Sequence, residues 1–154
     1  MSTVTERSGI LGHVVVQEIN PKTGEIVSVE EGENIICVGG ANAISTALTT
    51  GSFATTFDWM VISTDVAAAA RAHTAIAPQT AVSTEIVPTV DNTAPTSKTI
   101  WEHTFAAGGS AVIGKFGMQS TNIGGVLWNE YVFSALKDNN SNDLKITYTA
   151  SIAP

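Results

Sequence analysis

Apolar and polar residues alternate strictly along the last segment of the chain, from Leu144 to Ile152. The apolar members point one way, and the intervening lysine, threonine and serine side chains point the other. Alternation with a period of two is typical of a strand with one buried and one solvated face. Most of the chain after Asp58 repeats this pattern in short segments that are separated by Gly, Asn, Asp and Ser. The pattern predicts a mainly β protein.

The same pattern locates the individual strands. It predicts them over residues 12–19, 25–29, 58–63, 85–90, 97–106, 111–118, 126–133 and 144–152. Residues 20–24 suit a hairpin turn because proline presets φ and glycine supplies a positive φ. Pro88 favours an edge strand or a bulge. Short links favour antiparallel connections, and two facing sheets of about four strands each would bury both apolar faces.

Two segments outside the strands have helical character. From Ala41 to Leu48, alanine, isoleucine and leucine recur at helical spacing, and Gly51 follows as a stop signal. Residues 66–76 are rich in alanine, which predicts a second short helix, with a loop laid across the sheet as the alternative. The predicted fold is therefore an antiparallel β-sandwich with one short helix, Ala41 to Leu48. Residues 66–76 are the candidate for a second helix.

The chain divides into two parts of unequal size. Residues 1–10 are polar and irregular, and we predict an N-terminal arm that lies across another subunit, because so little apolar surface does not fold by itself. Residues 11–154 are predicted to form a single β-sandwich domain. No linker composition separates a second domain within them.

Charge is scarce in this chain. Charged residues make up 14% of it, against about 25% in an average globular protein. Low charge suits a protein packed among neighbours, since charge is depleted from the cores of interfaces, although an isolated, weakly charged β domain is the alternative. The net charge is −7 and the basic residues are scattered singly, so we expect no direct contact with nucleic acid.

Two further features bear on the compartment. The chain has neither an apolar stretch of the ~20 residues that a membrane span needs nor an apolar secretory signal. We therefore expect that the protein is made in a cytoplasm and does not associate with a membrane. The single cysteine, Cys37, lies in an apolar run, where a buried and inert thiol is expected rather than a reactive one.

The residue types that carry catalysis do not form a recognisable motif. His13, His73 and His103 include no closely spaced ligand pair, so a metal site is not predicted. Gly39 and Gly40 precede the helix without a Walker lysine, and their expected role is to let the chain turn from strand into helix. We predict no catalytic residue, no cofactor and no metal ligand, and hence no enzyme.

Three other groups of side chains have ordinary structural interpretations. Acidic residues around Gly32 are expected in a solvated turn, and tryptophans within strands are expected in the core rather than on a sugar-binding platform. The loop 137–143 is expected to be an asparagine-rich hairpin loop rather than a calcium site. These groups are Glu30, Glu31 and Glu33; Trp59, Trp101 and Trp128; and Asp138, Asn139, Asn140, Asn142 and Asp143.

A family resemblance rests on several segments together. The run Asn-Ile-Ile-Cys-Val-Gly-Gly at 34–40 precedes the helix, an Ala/Thr-rich stretch follows the strand that ends at Thr64, and Leu-Lys-Ile-Thr-Tyr-Thr lies at 144–149. Over residues 12–152 the chain resembles small virion proteins of tailed bacteriophages and related viruses, of the tail-fibre-like and head-decoration kinds. It differs at 114–118, where that family often carries an acidic residue.

The resemblance implies a structural, non-enzymatic protein of a virus particle. The function expected from it is a capsid decoration or minor head protein that binds the outside of the shell. A tail component (short fibre, baseplate or tail-tip protein) and a carbohydrate-binding module are the alternatives. The implied partners are other copies of the chain, as a homo-oligomer such as a trimer, together with major capsid or tail proteins. The expected location is the virion, assembled in the host cytoplasm.

Overall fold

Two antiparallel sheets face each other in the computed structural model, which describes residues 10–51, 56–93 and 97–152. Within these residues, sheet A has the strand order β2-β1-β10-β7-β6 and sheet B has the order β3-β9-β8-β4-β5. The elements are β1 (Ile10–Ile19), β2 (Ile26–Glu33), β3 (Ile35–Ile36), α1 (Val38–Thr50), β4 (Trp59–Ser63), β5 (Ala81–Val82), β6 (Thr89–Asp91), β7 (Ser97–Phe105), β8 (Ile113–Gln119), β9 (Leu127–Lys137) and β10 (Asp143–Ile152).

The first and last strands pair along their whole length at the centre of sheet A. Ile10 lies opposite Ile152, and Ile19 lies opposite Asp143. The strand β7 pairs with the other edge of β10. The alternation that predicted β10 is confirmed, because Leu144, Ile146 and Tyr148 are fully buried.

The main core fills the space between the sheets. Sheet A contributes alternate residues of β1 and β10, and sheet B contributes alternate residues of β4 and β8, chiefly Val14, Val16, Ile146, Met60, Ile62, Phe116 and Met118. Several aromatic rings pack in this core. Trp101 stacks on Tyr148 with ring centroids 5.5 Å apart, and the Trp128 Nε1–H group donates a hydrogen bond to the Tyr148 hydroxyl at 3.0 Å. The predicted β-sandwich is confirmed.

The predicted helix is present and extends beyond both predicted ends. It runs over Val38–Thr50, and Gly51 ends it in the left-handed region with φ 74°. Gly39 and Gly40 therefore lie in its first turn and not in the link before it. A Cβ on Gly40 would come within 2.5 Å of the Trp128 carbonyl oxygen, so these glycines let the helix approach β9 closely.

The predicted second helix over residues 66–76 is wrong. Residues 64–80, which we call the cover segment, contain no helix and lie across the outer face of sheet B. Ile76 packs there in a second apolar cluster with Val61 and Leu127. Alanine-rich sequence has high helix propensity, but propensity is a weak preference that tertiary contacts override.

Three smaller expectations are also corrected. The acidic residues around Gly32 lie in β2, not in a turn. Residues 137–143 cross from sheet B to sheet A instead of closing a hairpin. The strand predicted at 85–90 lies at a sheet edge, as Pro88 indicated, but it spans only Thr89–Asp91. Of the predicted arm, residues 1–10, only Ile10 is described, and it is the first residue of β1; residues 1–9 lie outside the described residues.

The hydroxyl of Tyr148 generates a stability prediction. Tyr148→Phe should lower the free energy of unfolding by about 1–3 kcal/mol, because the buried Trp128 N–H group loses its acceptor. The side chain of the neighbouring Thr149 points to the opposite face of β10. Thr149→Val should therefore change the free energy of unfolding by no more than about 0.5 kcal/mol. Urea denaturation of both variants measures the difference; equal stability of Tyr148→Phe and wild type would contradict the assigned role.

Candidate functional site

Four ionisable side chains meet beneath the cover segment. Lys115 lies on β8 and Glu130 on the neighbouring strand β9, while Asp65 and His73 belong to the cover segment. We call these four residues the Glu130 cluster. The two strand residues face outward from sheet B, yet the Lys115 side chain is 1% exposed and that of Glu130 is 0% exposed.

Each charge in the Glu130 cluster has a partner. Lys115 Nζ lies 2.8 Å from Asp65 Oδ2 and 3.4 Å from Glu130 Oε2. Glu130 Oε1 accepts a hydrogen bond from the Ala70 N–H group at 2.7 Å and lies 2.5 Å from His73 Nδ1. Burial of an ion costs several kcal/mol unless it is paired and hydrogen-bonded, and this geometry supplies both conditions.

The charges of the cluster shift the pKa of Asp65, one of its own members, and that of the nearby Cys37. The hydrogen bond from Lys115, assisted by the Ala67 N–H group, lowers the pKa of the Asp65 carboxyl. Burial, followed by the negative charge of Glu130, raises the pKa of the Cys37 thiol to about 11. The thiol is buried, as expected from the sequence, and its sulfur lies 3.8 Å from the Ala70 carbonyl oxygen.

Glycines of β8 make room for the cover segment. A Cβ on Gly114 would lie 2.7 Å from the Asp65 carbonyl oxygen, and a Cβ on Gly117 would lie 2.4 Å from Ile76 Cδ1. The sequence signal for this site was therefore a lysine between two glycines in an otherwise apolar strand, which points to a buried charge under closely packed backbone. No recognised motif contains this combination of residues.

A second feature is an aromatic pocket of about 380 Å³ at one end of the sandwich. Its walls come from both sheets and are mostly apolar, with four polar side chains among them, those of Thr56, Asp58, Thr99 and Ser151. Trp101 Nε1 donates a hydrogen bond to Asp58 Oδ1 at 3.0 Å, which fixes the indole in the wall. The lining residues used below are Phe57, Asp58, Thr99, Trp101, Trp128 and Ser151.

The tryptophans and histidines fall into different environments. Trp128 is a core residue, as predicted, whereas Trp59 and Trp101 are half-buried. His13 lies on β1 at the surface, and burial lowers the pKa of His103. Among the described residues, no three His, Cys, Asp or Glu side chains are grouped so that they could hold a metal ion.

Glu30 has a role that the sequence did not indicate. Its carboxylate accepts hydrogen bonds from the Tyr131 hydroxyl at 3.0 Å and from the Ser134 N–H group at 2.6 Å, and it lies 2.6 Å from Lys137 Nζ. Burial alone would raise the pKa of Glu30, but these three contacts outweigh it and lower the pKa. Burial and the Glu30 carboxylate raise the pKa of Tyr131 to about 12. Glu30 thus ties sheet A to sheet B.

The loop after β9 uses its polar side chains internally. Asp138 Oδ1 accepts hydrogen bonds from the Asn140 and Ser141 N–H groups at 2.9 and 3.1 Å. Asn139 is buried and its side-chain amide donates a hydrogen bond to the Phe105 carbonyl oxygen at 3.0 Å.

The start of β10 is also attached to the end of β7. Asp143 Oδ1 accepts a hydrogen bond from the Ala107 N–H group at 2.9 Å. These bonds shape the crossing between the sheets.

No protein-family model, curated protein or solved structure matches this chain. Within the described residues, no helix has both the length and the apolar character needed to cross a membrane.

Glu130→Gln tests the role of the cluster in holding the cover segment. The amide keeps the shape of the side chain but removes the charge that faces Lys115 and His73, so the free energy of unfolding should fall by about 1–3 kcal/mol. Hydrogen exchange of the Ala70 amide should accelerate more than that of the β1–β10 amides.

Glu102→Gln is the matched control for this variant, because Glu102 pairs with Lys145 in a partly exposed ion pair at 3.2 Å. Exposed pairs contribute about 0–1 kcal/mol, so this variant should stay close to wild type. A loss of stability in Glu102→Gln equal to that in Glu130→Gln would contradict the special role of the buried cluster.

Proposed function

We propose that this chain is a structural protein of a virus particle, and specifically a decoration protein bound to the outside of the capsid shell. The family resemblance of the sequence motivates the proposal, and the low charge content agrees with it. The structural observation that supports it best is the exposed apolar edge of sheet A.

The edge strand β2 presents aliphatic side chains to its surroundings. Ile26, Val27 and Val29 are 50%, 57% and 56% exposed, and β2 has a strand partner on one side only, β1. An unpaired edge exposes backbone N–H and C=O groups that bind further strands, so proteins normally protect it with charge, proline or a covering element. The aliphatic half of β2 has none of these among its own residues, which favours its burial in an assembly.

Other exposed apolar residues extend the same argument. The helix α1 has no charged residue in its sequence, and its Leu48 is 82% exposed. Val87 and Val90, beside the opposite edge of sheet A, are also exposed. Large exposed apolar patches mark interaction surfaces in soluble proteins. We propose that copies of this chain and of a shell protein cover these surfaces, in a homo-oligomer such as a trimer.

Charge introduced on the β2 edge tests the proposal. Val27→Lys and Val29→Lys leave the core intact and should fold, but they should weaken self-association in sedimentation and reduce incorporation into particles at least about tenfold, which corresponds to about 1.4 kcal/mol. Thr104→Lys places the same charge on an exposed position of β7 in the same sheet and should behave as wild type.

The location of the protein in labelled particles completes this test. Gold label on the shell in electron micrographs supports a decoration protein, and label on the tail supports the tail-component alternative. Absence of the protein from purified particles, or full incorporation of both lysine variants, contradicts the proposal.

The aromatic pocket favours one second candidate, a carbohydrate-binding module. Indole faces bind the apolar faces of sugar rings, and a few polar groups fix their orientation. Asp58, Thr99 and Ser151 supply such groups beside Trp101. In this alternative, the protein recognises a glycan at the end of the sandwich.

A glycan array with the purified protein tests this second candidate. Binding should fall at least about tenfold in Trp101→Ala and also in Thr99→Val, which removes one hydroxyl at nearly constant volume. Trp59→Ala removes a half-buried tryptophan that does not line the pocket and serves as the control. Binding that survives both pocket variants, or no binding by the wild type, removes the candidate.

A further inference from the structure

We propose that Lys115 and Asp65 become joined by an isopeptide bond between Lys115 Nζ and Asp65 Cγ, with Glu130 as the proton-transfer group. The Glu130 cluster would then be a site of self-catalysed covalent modification. This inference rests on the geometry of the cluster and is independent of the proposed function.

The reacting groups are held close together, and the attacking amine is buried. Lys115 Nζ lies 2.8 Å from Asp65 Oδ2, and its side chain is 1% exposed. Fixed proximity of this kind replaces a bimolecular encounter and can correspond to an effective concentration of about 10⁵–10⁸ M. Asp65 is 28% exposed, which leaves an exit for the water that the reaction releases.

Glu130 has the placement that a proton-transfer group requires. Its Oε1 is occupied by the Ala70 N–H group and His73 Nδ1. Its Oε2 is buried, has no hydrogen-bond partner, and lies 3.4 Å from Lys115 Nζ. A buried carboxylate oxygen that is aimed at an amine and otherwise unused is positioned to act as a general base.

The reaction balances without an external reagent. The Glu130 carboxylate takes one proton from the Lys115 ammonium and passes it to an Asp65 carboxylate oxygen, so that a neutral amine faces a neutral carboxylic acid. The Nζ lone pair then attacks Asp65 Cγ to form the C–N bond, and Glu130 carries the second proton lost by Nζ to the hydroxyl oxygen of Asp65. The C–O bond then breaks and that oxygen leaves as water. The ammonium and carboxylate become a neutral amide, and Glu130 returns to its initial state.

A second buried ion pair provides an internal comparison. Lys137 Nζ lies 2.6 Å from Glu30, and both side chains are nearly buried. Among the described residues, that lysine forms an ion pair with one carboxylate only, whereas Lys115 forms ion pairs with two. The proposed chemistry needs one carboxyl group to react and another to transfer the proton, so it selects Lys115.

Intact mass spectrometry of the purified full chain tests the proposal first. The wild type should be lighter than its sequence mass by one water molecule, and the loss should increase on incubation of freshly purified protein. After tryptic digestion, residues 23–71 should be linked to residues 99–137, because modified Lys115 resists cleavage. Lys137 should be cleaved normally.

Variants identify the atoms involved. Lys115→Met and Asp65→Ala should retain the full sequence mass, and Asp65→Asn should lose ammonia instead of water. Glu130→Gln should slow the loss of water at least about tenfold, since general acid–base groups contribute about 10²–10⁴-fold to rates. Circular dichroism checks that each variant is folded.

The alternatives give different results. A wild-type protein that keeps its full mass after prolonged incubation overturns the proposal. Loss of water that persists in Lys115→Met, without linked peptides, indicates a succinimide at Asp65 and also overturns it. An unchanged rate in Glu130→Gln overturns the role assigned to Glu130.

Discussion

The structure depends on the fact that sheet B is buried on both faces. Met60, Val61, Ile62 and Ser63 are consecutive residues of β4 and all are buried, although neighbouring residues of a strand point to opposite faces. Sheet A covers one face. The other face must be covered as well, because Val61, Leu127 and other apolar side chains would otherwise meet water. The cover segment meets this requirement, and its irregular backbone follows the shape of the sheet beneath it.

An irregular cover requires specific attachments, since it lacks the repeated hydrogen bonds of a helix or strand. Glu130 supplies the central attachment through the Ala70 N–H group, and further hydrogen bonds hold the segment at Arg71 and at Gln79. The Val38 N–H group donates to the Arg71 carbonyl oxygen at 2.7 Å, and Gln79 donates to Gln119 at 2.9 Å. Buried polar groups are stabilising only where they are satisfied. The same residues that hold the cover segment therefore determine where it lies.

Local patterns in the sequence predicted the strands well and their partners poorly. The alternation of β10 and the glycine stop of α1 are short-range signals, and both are confirmed. The pairing of β1 with β10 joins the two ends of the described chain, and no local signal specifies it. Residues 66–76 show the same limit, because the helix propensity of the segment is local whereas Ala70 binds a carboxylate 60 positions away.

The Glu130 cluster was hidden by a single extra residue in β9. Met118 pairs with Asn129 and Gln119 pairs with Leu127, so Trp128 forms a bulge. A bulge reverses the alternation of faces, and it places Leu127 and Glu130 on the same outer face despite their odd separation. Strict alternation from the sequence would place these two side chains on opposite faces. The buried carboxylate could be found only once the register was known.

The pairing of β1 with β10 also determines how the protein responds to force. Ile10 and Ile152 are directly opposite each other at one end of the ladder, so the chain enters and leaves the sheet at the same point. A pull that separates these two ends acts across the strands and loads the hydrogen-bonded pairs one after another. A pull between Ile19 and Ile152, at opposite ends of the ladder, would load all the pairs together in shear. The fold is consequently weak toward tension applied at Ile10 and Ile152 and strong toward tension applied along the two strands.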